Sequence, residues 1–334
     1  MLQNFTNNNG HKIPNWFKYG LCCTFIAVVV LTTAIRIRLL TVPIERDEGE
    51  YAYAGQLMLQ GFPPYEKAYN MKMPGIYAMY CLILASFGQT HIGVHLGLLF
   101  VNVITILLVF LLTKELFGIV EGLTAGAAFA ILSLDRAVLG YTANSEHFVI
   151  VFVLAGILLL HKAVKLQKWM RIFASALLLG TAYLMKQHGA AFILFAAFYL
   201  LVNEIRCRPF NWQLFMKKGI LFSTGVFIPF ILTCLILWQV GVFERFWFWT
   251  FHYALEYVSQ VQLSMGLSLF QSNLARIINP AVGFWVLAAI GLLSLFLSAN
   301  FRAQRFFTIG FLIASFLDEL SSTWWIFSLK NSKL

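Results

Sequence analysis

Long apolar runs separated by short polar stretches make up most of this chain. Residues 20–40, 92–113, 122–140, 147–160, 219–240, 280–298 and 306–325 are each largely apolar. Several reach the roughly 20 residues that a helix needs to cross a bilayer's hydrocarbon core. Closed barrels are the only other spanning solution, and their alternating strand pattern is not seen. An eighth run, 172–203, is interrupted by Lys186-Gln187-His188-Gly189. Read as two short helices it leaves and returns to the same side. Its polar tip then lies within membrane depth, where a lysine needs a partner. The pattern predicts an all-α, multi-pass transmembrane helical bundle of about nine spans.

Basic residues in short connecting loops mark the cytoplasmic side. Lys162, Lys165, Lys168 and Arg171 form one such group, Arg206, Arg208, Lys217 and Lys218 a second, and Arg302 and Arg305 a third. Lys12 and Lys18 precede the first span with no small-residue cleavage pattern after it, which reads as an uncleaved signal anchor with a cytoplasmic N-terminus. The N-x-T at Asn4 falls on that side and carries little weight. Parity then requires that 75–88 not cross but lie along the outer interface, as amphipathic helices do. Residues 43–90 thus form an outer loop with juxtamembrane helices inside it. One of these is expected from Asp47 to Gln60, with Tyr51, Ala54, Leu57 and Met58 as its apolar stripe and Gly61, Pro63 and Pro64 ending it.

Only 11% of residues are charged and 60% are apolar, against about a quarter charged in soluble domains. The net charge of +10 sits in the short loops, so it indicates membrane orientation and argues against nucleic acid. Five cysteines without a C-x-x-C suggest neither a disulfide framework nor a zinc site. No repeat and no separate soluble domain is evident. Residues 1–334 read as one polytopic domain of a cell (inner) membrane protein.

Against this background "IERDEGEYAY", residues 44–53, holds four of the chain's fourteen acids: Glu45, Asp47, Glu48 and Glu50. These acids either cap a helix and favour its dipole or include a general base facing a membrane-embedded substrate. Tyr51 shares a helix face with Asp47. Lys72 is either an interfacial lysine with its stem in lipid or an anion contact, and the same choice applies to Lys186. Glu146, at the outer end of a span, is a further carboxylate. His188 either assists Lys186 or is one more polar residue at a turn. Arg36 either snorkels or contacts phosphate. Asp135 and Arg136 suggest a paired structural role. His91 and His95 stand four apart but lack a third ligand. The aromatic run 246–253 reads as an interfacial belt or as packing for a lipid chain.

The D-E pair after the first span is followed by K-x-P-x-x-Y, as Lys72-Met73-Pro74-Gly75-Ile76-Tyr77, and by "MKQHG" around Lys186. In this order they resemble the GT-C integral-membrane glycosyltransferases, within them the protein-mannosyltransferase and aminoarabinose-transferase group (family 39-like), over about residues 20–250. The resemblance implies transfer of a sugar from a polyprenyl-phosphate donor to a lipid, glycan or protein acceptor on the non-cytoplasmic face. It implies Asp47 as the base of an inverting displacement, with Glu48 in support or holding a metal. It implies Lys72, Lys186 and His188 at the donor phosphate, with Glu146, Tyr51 and Arg36 supporting. Metal use in that family varies, so a divalent cation stays an open expectation. Relatives continue through more spans, whereas here Asp318 and Glu319 interrupt the last one. This suggests a truncated or frameshifted reading frame, or a naturally short member. A lipid-linked-sugar transporter and a non-catalytic relative are the competing readings.

Overall fold

The computed structural model describes residues 14–207, 209–259 and 263–331, so Asn4, Lys12 and Arg208 lie outside the described residues. Helix α1, Asn15–Arg38, is the first long apolar run and continues as a short 3-10 turn to Thr41. Helix α2, Arg46–Leu59, starts where a capping box closes: the Glu45 side chain accepts from the first-turn backbone, and Glu48 reaches back to the Glu45 N–H at 2.8 Å. It stops at Gly61, whose φ of +89° is left-handed. Helix α3, Pro74–Phe87, begins with proline at its first turn, where the missing N–H is no loss.

The other helices follow the apolar runs: α4 His91–Leu116, α5 Ile119–Leu132, α6 Ser145–Leu166, α7 Trp169–Met185, α8 Ala190–Arg206 and α9 Trp212–Gln239. Then come a short α10, Phe243–Trp247, a π-helical turn Phe248–Tyr253, and α11 Ala254–Ser259. The chain ends with α12 Leu263–Ile278, α13 Val282–Leu297 and α14 Arg302–Asn331. No strand occurs among the described residues. Among the described residues, six segments are long and apolar enough to cross a membrane: 15–41, 91–116, 145–166, 187–206, 212–239 and 270–297. Three apolar helices are shorter, α3, α5 and α7. All nine predicted segments contain helix, and the chain is an integral membrane protein built as a multi-pass helical bundle.

One segment differs from expectation. The run 122–140 is helical only to Leu132, and a loop with a 3-10 turn at Arg136–Val138 replaces its second half. Asp135 caps that turn, its Oδ1 accepting from the Ala137 N–H at 2.7 Å. Helix α7, at 17 residues, is only about 26 Å long at 1.5 Å per residue, short of a hydrocarbon core of about 30 Å. The Lys186–Gly189 tip follows directly on this short helix.

The core lies where α6 and α7 pack together, flanked by α4, α8 and α9. Lipid gives little drive to push apolar helices together, so small residues that allow close approach matter more. Ser175 of α7 donates to the Gly156 carbonyl of α6 at 2.7 Å, and α9 closes on α7 through Gly225 against Ala176. Rings of Phe307 and Phe311 pack α14 onto Phe195 of α8.

The bundle has two unlike ends. At one, Lys165 pairs with Glu115, Gln304 donates to the Leu116 carbonyl, and Phe117 meets Phe301. This is the basic end. The other carries α2, the loops 60–73 and 133–144, the Lys186 tip and the aromatic turn, linked by the contacts described next.

Candidate functional site

Asp47 occupies the first turn of α2, where the helix dipole favours a carboxylate. Its Oδ1 accepts from Arg46 at 3.1–3.2 Å, and its Oδ2 lies 3.4 Å from Nζ of Lys72. Lys72 also stands 5.7 Å above the Tyr51 ring, a cation–π distance. Its loop is held by Tyr65, which donates its hydroxyl to the Lys72 carbonyl at 2.7 Å. Tyr65 has φ of 68°, an uncommon backbone for a bulky residue that its surroundings must enforce. Rings of Tyr77 and Phe246 pack against it and supply that enforcement.

Two glycines let the elements approach. A Cβ on Gly55 would come within 2.9 Å of the Cys81 backbone, so α2 and α3 pack closely only with glycine there. A Cβ on Gly75 would overlap the Leu184 carbonyl. Gly75 follows Lys72 by three residues and Leu184 precedes Lys186 by two, so this contact brings the two lysine-bearing segments together. Gln187 completes the junction, its amide donating to the Met71 carbonyl at 3.1 Å and lying 3.5 Å from the Thr250 carbonyl.

Across this junction Lys186 Nζ donates to Glu146 Oε1 at 2.5 Å. Glu146 sits in the first turn of α6 and is half exposed, whereas Lys186 is mostly covered. His188 lies buried in the turn behind Lys186. Asp47, Lys72, Glu146 and Lys186 thus gather at one end of the bundle, from α2, the α2–α3 loop, α6 and the α7–α8 turn. Below them, Tyr51 is buried among Tyr77 and Tyr80 and forms an aromatic floor. Glu50 accepts from the Tyr77 hydroxyl at 3.2 Å. Burial pushes the Glu50 carboxyl above its ordinary range, although Lys72 and the Tyr77 hydroxyl oppose this.

The other expected residues stand behind this group. Glu48 is fully buried. Its Oε1 accepts from the Ala143 N–H at 2.5 Å and lies 3.2 Å from His95 Nε2, while its Oε2 accepts from Glu45. The Tyr80 hydroxyl donates to the Ala143 carbonyl at 2.7 Å. Both backbone groups of Ala143, three residues before Glu146, are therefore held from α2 and α3. Rather than snorkelling, Arg36 is buried and donates to the carbonyls of Gly140 and Ser133 at 2.6 and 2.8 Å and to Ser133 Oγ at 3.0 Å. It braces the loop below Glu146. His95 is committed to Leu40 and Glu48; among the described residues no three His, Cys, Asp or Glu side chains group as metal ligands. The aromatic run is only partly a belt. Phe246 is fully buried against Tyr65, Phe230 and Phe251, whereas Trp247 and Phe248 are exposed.

Sequence reasoning misses Gln187 as the junction residue and the Tyr77–Glu50 bond. The i, i+3 placement of Asp47 and Glu50 is visible along the chain, but the partner across 27 positions is not.

The family model of the dolichyl-phosphate-mannose-protein mannosyltransferases matches residues 71–236, about half of the chain. The match includes Lys72, Glu146, Lys186 and His188 and begins after Asp47 and Glu48. No curated protein and no solved structure matches significantly. With its helical membrane fold and its converging charged residues, the chain belongs to this mannosyltransferase-like family of GT-C membrane glycosyltransferases.

Proposed function

We propose that this glycosyltransferase takes its sugar from a polyprenyl-phosphate donor and passes it, with inversion, to an acceptor hydroxyl. The observation that carries the reading is the meeting of Asp47 with Lys72, 3.4 Å apart, next to the Lys186 tip that Gln187 ties to the same loop. Asp47 takes the proton of the acceptor hydroxyl as its oxygen attacks the anomeric carbon. The bond from that carbon to the phosphate oxygen breaks, and its electron pair leaves on the phosphate. Lys72 and Lys186 neutralise the growing charge there, the kind of preorganised electrostatic help that contributes most in a site shielded from water. His188 supports Lys186, and Glu146 holds it until the phosphate arrives. Glu48, Tyr51 and Arg36 fix the scaffold. The positive-inside rule supports a cytoplasmic basic end, and with it a site on the non-cytoplasmic face of the cell membrane. The acceptor, whether lipid, glycan or protein, approaches from that side.

The test uses membranes containing this chain and radiolabelled polyprenyl-phosphate hexoses, comparing wild type with Asp47→Asn. Release of polyprenyl phosphate by the wild type alone is the expected result. Equal cleavage by both proteins removes Asp47 from the role of base. Cleavage by neither overturns the donor reading, and transport of the intact donor would favour a transporter.

A further inference from the structure

Asp318 lies in a helix that otherwise packs through aromatic and small residues. In α14, Phe307, Phe311 and Ala314 are three or four positions apart, hence on one face. Phe307 and Ala314 are buried, and the ring of Phe311 packs on Phe192 and Phe195 of α8 at 5.6 and 5.7 Å. Asp318 comes four residues after Ala314 and continues that face. Helix α14 also touches the Gln187–Gly189 turn. The strongest charges acting on Asp318 are Lys186 and Glu146, ahead of its own neighbour Glu319. An acid in the apolar face of a membrane protein's helix is costly, and such residues are usually functional. The charged groups that act on it are Lys186 beside the turn, Glu146 on α6, and Glu319 on α14 itself.

Asp318 gives the site an excess of negative charge. Asp47, Glu50, Glu146 and Asp318 outnumber Arg46, Lys72 and Lys186, and Arg46 is held by Asp47, which is a poor arrangement for trapping an anion tightly. On the polyprenyl-phosphate reading, which this inference rests on, that weakness has a use. The donor is a phosphodiester with a single negative charge. The released lipid phosphate is a monoester whose second pKa lies near about 6, so at neutral pH it approaches two charges. Repulsion from a fixed carboxylate grows with the charge of the ligand, and the product feels it about twice as strongly as the donor.

We propose that Asp318 is a specificity-determining residue that, through Lys186, favours the monoanionic donor over the dianionic product and so lets the spent lipid phosphate leave. It makes no bond to the reacting atoms. It sets how firmly Lys186 holds one anion relative to another.

The experiment uses the full chain in proteoliposomes and measures the donor KM and the inhibition constant of polyprenyl monophosphate. Wild type, Asp318→Asn and Asp318→Glu are compared at pH 7.5 and 5.5. In Asp318→Asn at pH 7.5 the inhibition constant should fall about tenfold and the donor KM about threefold, as expected for two charges against one. Turnover should slow as product lingers. Asp318→Glu should keep the wild-type ratio, which shows that the helix tolerates change at this position. At pH 5.5, where the monoester is largely singly charged, the selectivity gap should close. Equal shifts for donor and product, or a gap that persists at pH 5.5, would overturn the role of Asp318 while leaving the donor reading intact. Absence of any donor cleavage by the wild type sinks both.

Discussion

Each end of the molecule holds a lysine against a glutamate, and the two pairs differ in what surrounds them. At the basic end Lys218 meets Glu204 and the Gln167 side chain, both at 2.6 Å, and the charged pair is 2% and 5% exposed. At the other end Lys186 meets Glu146 at 2.5 Å, with exposures of 12% and 47%. The contacts are nearly the same length, but only the second can be opened from outside. Lys218 ties α9 to α8 and to the link between α6 and α7, so every bond it makes joins the fold to itself. Lys186 sits on a turn with one carboxylate open to solvent, and an incoming anion can replace that partner. A buried ion pair with all partners internal is a brace; on the proposed donor reading, a similar pair with one open side is a binding site at rest. The neighbours Asp47 and Glu48 repeat the contrast within one helical turn. Glu48 is sealed against Ala143 and His95, while Asp47 faces Lys72 and solvent.

This comparison can be broken or sharpened by substitution. The largest effect is expected for Asp47→Asn, which should lower turnover by about 10²–10⁴-fold, the usual contribution of a positioned base. Its melting temperature in detergent should stay at the wild-type value, because the carboxylate holds no element of the fold alone. Lys218→Met should do the reverse. Leaving Glu204 buried and unpaired costs about 3–5 kcal/mol, read as a drop in thermal stability, while turnover per folded molecule stays near normal. Loss of turnover with full stability at Lys218 would erase the distinction between the two ends.

Gly75→Ala tests whether the open end depends on close approach. A Cβ overlapping the Leu184 carbonyl must push α3 from α7 and separate Lys72 from Lys186. We expect kcat/KM to fall by about tenfold or more, since small misplacements in a catalytic group carry large penalties. Unchanged kinetics would mean that the two lysines do not act together.

The smallest effect is expected at Glu50. Burial raises its carboxyl above the ordinary value, so the folded state binds its proton more tightly than the unfolded chain. Stability is then lost as pH rises through that range and is fully present below it. Glu50→Gln removes this pH-dependent loss. The variant should be slightly more stable than wild type at pH 7 and equal to it below the ordinary carboxylate range, as read by thermal melts at both pH values. A wild type that gains stability with rising pH relative to the variant would contradict the assignment.

Much of this molecule is legible along the chain. The apolar runs place the helices, and the acid group after the first span marks the end of the bundle where the charged residues converge. The interruption at Lys186-Gln187-His188-Gly189 reads as a turn and is one, because three polar residues and a glycine end an apolar helix whatever it packs against. Less legible is the division of labour among adjacent acids. Glu48 differs from Asp47 only in pointing at Ala143 and His95, 95 and 47 positions away. Asp318 reads only as an interruption of the last apolar run, because along the chain its face of α14 has no visible neighbour.

The sequence by itself determined the class of molecule, since hydrocarbon tolerates only helices or closed barrels with satisfied backbones and the chain has the apolar lengths to make helices. It also determined where two helices start, through the capping box at Glu45 and Glu48 and the proline at the head of α3. Only the tertiary structure decided which charges meet. Lys72 reaches Lys186's segment because Gly75 lets two backbones touch, and Arg36 turns from lipid to the Ser133–Gly140 loop because carbonyls wait for it there. Those partners are fixed by packing between distant segments, and no local pattern along the chain encodes the distance between them.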